Sequence, residues 1–361
     1  MLEEVLNNFN KSINGEEPER VPIVVWTTGP SLTRLEGVKE IDYYLKPALK
    51  LKTQLSFQDN FPEIISLTGV YADFGSAVEP SAFGCPVVWF DNQPPYTKPI
   101  INSISDVLHL KMPNPEENGL MRKALKEYEY MWAHIEKKYV EDYGNLEGLG
   151  YSLGPVETSA LIMGYDKFLI GLYDNPKIIH TLLEMVTKAT IKWLRVQEKI
   201  NGKLKRLYVP DHMPTQMSKS HFKEFFLPYL KEIYNEFPKA LKLYHNEGNV
   251  SHILTEIPNI GADIFHFGIT TKSNVASPAL KDLEVAKKAI GDKICLMGNL
   301  DPVKEMLFLP PKRVLGICKS RLDVGAPGGR YFLSSAGGMA PGTPHENIKA
   351  MITSVEMRSL K

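Results

Sequence analysis

Two hydrophobic periods alternate along this chain, and their alternation predicts its elements. Val5, Phe9 and Ile13 recur every four residues, which predicts an amphipathic helix and turn over residues 1–20. Val21-Pro22-Ile23-Val24-Val25-Trp26 is a β-branched apolar run of strand length, closed by the turn Thr27-Thr28-Gly29-Pro30. A helix is predicted over 38–58 and a strand over 63–72. Residues 73–120 are rich in Pro, Gly and aromatics (Trp89, Phe90, Tyr96) and hold no clean period. A stretch of that length predicts an inserted, lid-like segment rather than a passive connector.

After a charged helix at 121–142, a strand at 149–153 ends in Gly154-Pro155, and 156–200 is helical. The rhythm then becomes regular. Strand-like runs at 206–210, 241–245, 262–267, 293–298 and 330–334 are separated by helical stretches at 218–236, 249–259, 279–290 and 311–323. Alternating strand and helix means parallel βαβ units. With the three earlier strands the count is about eight, which predicts a (β/α)8 TIM barrel. No Gly-x-Gly-x-x-Gly follows a strand and no Walker sequence is present, so an open nucleotide-binding sheet is disfavoured. Residues 1–361 are expected to form a single barrel domain, with 1–20 as a helical extension.

Composition adds exclusions. The 361 residues are 43% hydrophobic and 23% charged, with 42 basic and 42 acidic side chains. Zero net charge gives no electrostatic case for nucleic acid or an anionic membrane surface. No apolar run approaches the ~20 residues of a membrane span. Three cysteines (85, 295, 318) argue against a disulfide framework, and the acidic Glu3-Glu4 start is unlike a signal peptide. A cytoplasmic protein is expected. A homodimer is compatible with the sequence.

In such a barrel the reactive face lies at the strand C-termini. There stand Asp211-His212, then His245-Asn246-Glu247, His266, Asn299 with Asp301, and Ser334 to Gly338. His245 and Glu247 are two apart in an extended run, so their side chains share a face. An imidazole beside a carboxylate binds a metal ion or passes a proton. His245, Glu247 and Asp211 are therefore the candidate metal ligands, and Asp211, His212 and Glu247 the candidate catalytic groups. Asp211 as a helix cap and His266 as a satisfied core histidine are the structural alternatives. Trp26, Tyr71, Phe74, Trp89 and Asn299 are candidate substrate contacts, although core packing is the commoner fate of a single aromatic residue.

With these residues in view, the chain resembles the uroporphyrinogen decarboxylase superfamily over nearly its whole length. The resemblance is carried by Gly298-Asn299-Leu300-Asp301-Pro302, Gly337-Gly338, Gly342-Thr343-Pro344-His345-Glu346-Asn347-Ile348, Arg20-Val21-Pro22-Ile23 and Gly154-Pro155. It implies a (β/α)8 barrel and one of two chemistries. The decarboxylases carry an Arg-rich segment after the first strand to grip a polycarboxylate. Here that place reads Trp26-Thr27-Thr28-Gly29-Pro30, with no Arg before Arg34, and Asp59 is the candidate for their catalytic acid. The corrinoid-dependent methyltransferases hold zinc through His-x-Cys and a later Cys. Here the pair is His245-x-Glu247, and the later position falls near Gly337 or Gly338. Oxygen in place of sulfur leaves a harder, more electrophilic metal. The resemblance thus implies an enzyme using zinc to help move a methyl group from a small donor, an aryl methyl ether first, to the cobalt of a corrinoid. No Asp-x-His-x-x-Gly is present, so the corrinoid would arrive on a partner protein. The alternative is a decarboxylase of another carboxylic acid.

Overall fold

The structure, a computed structural model, describes residues 2–269 and 278–359. Ten strands occur among them: β1 (Val24–Val25), β2 (Ile65–Ser66), β3 (Val87–Val88), β4 (Tyr96–Thr97), β5 (Leu149–Tyr151), β6 (Arg206–Pro210), β7 (Leu241–Asn249), β8 (Ile264–Ile269), β9 (Cys295–Leu300) and β10 (Tyr331–Ser335). β5 to β10 form a six-stranded parallel sheet in sequence order, and β1 pairs with β2, also in parallel. Parallel bridges from Ile23 to Leu333 and from Trp26 to Gly338 join β1 to β10. The parallel order therefore runs β2-β1-β10-β9-β8-β7-β6-β5.

The interior completes the ring. One buried cluster takes Val24, Ile65, Tyr151, Tyr208, Leu243, Ile264, Met297 and Phe332, a residue from every one of these eight strands. Tyr71, beyond β2, packs on Tyr151 with ring centroids 5.0 Å apart, bringing the two ends of the order together. This is the expected (β/α)8 barrel, its helices packed outside over a second, larger apolar cluster. The N-terminal helix Leu2–Asn14 belongs to it as well. Phe9 stacks on Phe332 at 4.7 Å, and Arg330, just before β10, donates its N–H to Ser12. The period-four stripe thus closes the N-terminal end of the barrel. Burying each such side chain is worth about 1.5–3 kcal/mol.

Three expectations need correction. The helix forecast over 156–200 is three helices, Pro155–Met163, Tyr165–Asp174 and Pro176–Asn201, broken at Gly164 (φ 91°) and before Pro176. The strand forecast at 241–245 continues to Asn249, so the following helix is only the 3-10 turn Leu254–Ile260. Its pairing with β8 is irregular between Asn246 and Asn249, and such a bulge re-aims side chains. Within 73–120, Asp73, Gly75, Ser76 and Pro94 are the described residues that line a cavity at the barrel mouth. The rest includes the antiparallel hairpin β3–β4 and a helix, Val78–Ala82, packed on the helix Gly119–His134. Among the described residues, no helix is long and apolar enough to cross a membrane.

Candidate active site

β6 and β7 converge at the mouth of the barrel. Pro210 pairs with His245, so His212, two residues past β6, stands beside the bulged end of β7. His212 Nε2 lies 2.9 Å from Glu247 Oε2, and His245 Nε2 contacts the same oxygen. One ligand atom from each of His212, His245 and Glu247 lies within 4.8 Å of the other two. Two of the three residues expected as metal ligands are therefore together, and His212 joins them.

Asp211 does not. Its Oδ2 accepts the N–H groups of Val156 and Glu157, both at 3.0 Å, and its Oδ1 accepts that of Met213 at 3.2 Å. The helix Pro155–Met163 begins after Gly154, which has no side chain to cap it; Asp211 caps it from the neighbouring strand. A Cβ at position 154 would stand 2.3 Å from Asp211 Oδ2, so only glycine fits there. The capping alternative holds, but for the preceding helix rather than the following one.

The three groups differ in their electrostatics. His245 is fully buried, neither ring nitrogen makes a well-formed hydrogen bond, and burial lowers its pKa despite Glu247. Burial thus favours the neutral imidazole, the form that can bind a metal. Burial opposes charge on Glu247 as well, but His212 and His245 hold its carboxyl well below the usual range. Burial also opposes protonation of His212, yet Glu247, Glu157 and Asp211 push it up to about 9. Glu157 braces the chain at His212: its Oε2 accepts the His212 main-chain N–H at 3.1 Å, and its Oε1 accepts the Tyr165 hydroxyl. His266 lies beside His245 at 4.5 Å and donates through Nε2 to the Ser335 carbonyl at 2.9 Å; it is a core histidine pushed down by burial to about 3, its Nδ1 without a hydrogen-bond partner among the described residues.

A cavity of about 360 Å³ opens from this cluster. Trp26, Tyr44, Tyr71 and Tyr151 line it, together with Asp73, Glu157 and His212. Trp26 packs edge-on against His245 at 4.9 Å. Trp26 and Tyr71 are thus wall residues, as expected. Phe74, Trp89 and Asn299 are not among the lining residues. Phe74 lies under the Lys50 ammonium at 3.8 Å and edge-on to Trp89, while Lys123 covers both rings. Asn299 is fully buried and donates to the Gly268 carbonyl at 3.1 Å. Asp59 is elsewhere again, accepting the Tyr139 hydroxyl at 2.6 Å. The wall carboxylate is Asp73, which follows the second predicted strand. The rule that picked out Asp211, an acid just after a strand, would have found it. Glu157 gave no such signal, because it stands one turn into a helix.

The expected second ligand position is legible in the backbone. A Cβ at Gly337 would stand 3.5 Å from Glu247 Cβ, in ordinary contact, whereas one at Gly338 would collide with Thr28 at 2.6 Å. Residue 337 faces the cluster, and its lack of a side chain leaves that side open.

The family model for Uroporphyrinogen decarboxylase (URO-D) matches residues 6–357. The uroporphyrinogen decarboxylase of Coxiella burnetii is 28% identical over 195 residues, 53% of this chain and 50% of that protein. The matched stretch therefore spans about half the length of that curated relative. The enzyme of the same name from Dictyostelium discoideum is 24% identical across 97% of this chain and 93% of its own. Among solved structures, a methyltransferase from Methanosarcina mazei superposes with a TM-score of 0.79 at 19% identity, covering 98% of each chain. That likeness concerns the fold, and the sequence match decides the kinship: the chain belongs to the uroporphyrinogen decarboxylase family.

Proposed function

We propose that this protein is a methyltransferase that takes a methyl group from a small donor and passes it to the cobalt of a reduced corrinoid carried by a separate protein. One observation carries the reading. His212, His245 and Glu247 converge at the end of an aromatic cavity in which no described lining residue is Arg or Lys. A porphyrinogen with up to eight acid groups needs fixed cations. The Methanosarcina methyltransferase, whose fold this chain shares, supports the same direction.

The three side chains suit a divalent cation such as zinc: a buried, neutral imidazole without a well-formed hydrogen bond, an ionised carboxylate, and a second imidazole. When bound, such an ion supplies Lewis-acid polarisation of the donor's methyl-bearing atom, an ether oxygen in the first instance. The chain's own groups do the positioning. Glu157, steadied by Tyr165, holds the backbone from which His212 projects by accepting its main-chain N–H. Trp26 covers the His245 ring and keeps water from that side. Tyr71 and Tyr151 give a flat donor a surface on which to stack.

The test is to incubate the protein with zinc, a reduced corrinoid protein and methoxyarenes labelled in the methyl group. Label should reach the corrinoid, and His245→Ala and Glu247→Ala should abolish both that transfer and zinc binding. Absence of label transfer from every donor, with release of carbon dioxide from an offered carboxylic acid, would sink the reading. Family membership favours this carboxy-lyase as the second possibility.

A further inference from the structure

The cavity wall carries negative charge that the fold leaves largely uncompensated. Asp73 lines the cavity, and both its oxygens accept hydrogen bonds, from Tyr43 Oη at 2.9 Å and from the Gly75 N–H at 2.8 Å. Tyr43 in turn accepts from Gln54 Nε2 at 2.9 Å, so its own proton is directed at the carboxylate. Glu40 stands close enough for the two acids to repel, and its Oε2 is buried without a hydrogen-bond partner among the described residues.

Apart from His212, which pairs with Glu247 and Glu157, little positive charge faces them. The nearest buried ammonium, Lys50, is held by Glu127 at 2.5 Å. The N-terminus of the helix Gly29–Glu36 points here, since a Cβ on Gly29 would lie 3.0 Å from Asp73 Oδ2. A helix terminus offers only about half a charge. Against this surplus stand Trp26, Tyr44, Tyr71 and Tyr151, whose ring faces are electronegative. Deeper still, Tyr208 packs 5.3 Å from Trp26 and 5.5 Å from Tyr151, with a buried hydroxyl that has no partner among the described residues. Acids beside an aromatic wall, with no lining Arg or Lys, attract a cation and repel a carboxylate.

We propose that the cavity selects a positively charged donor, with an alkylammonium group held against Asp73 by the rings of Tyr44 and Tyr71 and the methyl-bearing atom turned toward His212, His245 and Glu247. This rests on the methyl-transfer reading for the word donor; the charge preference stands on the wall alone. It also narrows the first candidate, the aryl methyl ethers, to those with an amine rather than an acid as their other substituent.

Calorimetric titration tests it with three probes of one shape: 4-methoxyphenethylammonium, neutral 4-propylanisole and anionic 4-methoxyphenylacetate. The cation should bind at least roughly tenfold more tightly than the neutral probe, and the anion more weakly than either. Asp73→Asn should remove most of the cation's advantage while the neutral probe binds as before, and Tyr71→Leu should weaken the cation more than the neutral probe. Equal affinity for cation and neutral probe in the unaltered protein, or tighter binding of the anion, overturns the proposal. So does a full cation advantage in the Asp73→Asn protein. Methyl transfer to the corrinoid is scored separately on the same probes. A cation preference without transfer from any probe upholds this inference and defeats the methyltransferase reading; transfer without the preference does the reverse.

Discussion

Replacing Asp211 separates architecture from chemistry at this site. The side chain is fully buried and accepts three backbone N–H groups at 3.0–3.2 Å. Alanine would strand all three in a place without room for much water. A buried donor left unpaired costs about 1–3 kcal/mol, and the loss of a helix cap about 0.5–2 kcal/mol. Partial relaxation brings the expected cost of Asp211→Ala to about 4 kcal/mol, a large part of the ~5–15 kcal/mol that holds a typical domain together. Asparagine is milder. Its one carbonyl oxygen can keep the bonds from Val156 and Glu157, while its amide group opposes the Met213 N–H. Burial, reinforced by the charge of Glu157, already lifts the Asp211 carboxyl to about 7, so a neutral group there forfeits little charge interaction. The expected cost of Asp211→Asn is about 1–2 kcal/mol. Urea unfolding followed by circular dichroism measures the loss, and titration with zinc measures the site. Asp211→Asn should be less stable yet bind zinc within about threefold of the parent, because the proposed ligands are His212, His245 and Glu247. If it unfolds at the parent's urea midpoint and no longer binds zinc, Asp211 is a ligand and the capping argument is wrong.

Three further outcomes follow from the same geometry. Burial lifts the Glu79 carboxyl to about 7 although Ser152 and Leu153 donate to it. With its folded pKa raised, its stabilising contribution is full below about 4.5 and is lost as pH climbs through about 7, up to ~3 kcal/mol in all. Glu79→Gln should flatten that limb and raise stability at pH 8, as read from unfolding midpoints between pH 5 and 8; a parallel pH profile for the variant would refute this. Lys50 and Glu127 form a buried ion pair, so Lys50→Met alone should cost about 3–5 kcal/mol, whereas Lys50→Met with Glu127→Leu should recover most of it; a double variant no better than the single would show that the pair itself is the asset. Gly337→Cys should be tolerated and place a thiolate against Glu247, tightening zinc binding on the order of tenfold; unchanged affinity in a chelator competition would mean that residue 337 does not face the ion.

Much of this was legible in the chain, and the remainder was hidden for physical reasons. Strand and helix periods fixed the barrel because each strand is buried on both sides and each helix on one. The His245–Glu247 pair was legible because side-chain alternation in a strand is local geometry. Asp211 was misassigned because its partners, Val156 and Glu157, are far away in sequence and meet it only when β5 and β6 lie side by side. Phe74 and Trp89 resembled pocket walls in composition, but two lysines cover them, which no periodicity reveals. Asp73 and Tyr44 escaped notice because an acid after a short strand and a tyrosine in a helix are commonplace until the fold turns them to one cavity.

The N-terminal helix has a consequence for traffic. With Phe9 stoppering the far end of the strand ring, the interior is a blind well. Whatever reaches His245 and Glu247 enters and leaves past the same rim. Were the proposed transfer to take place there, the small donor would have to be inside before a large acceptor covered that rim, and its demethylated remnant would stay until the acceptor departed. The queue at a single doorway, rather than any regulatory part, would set the sequence of binding and release.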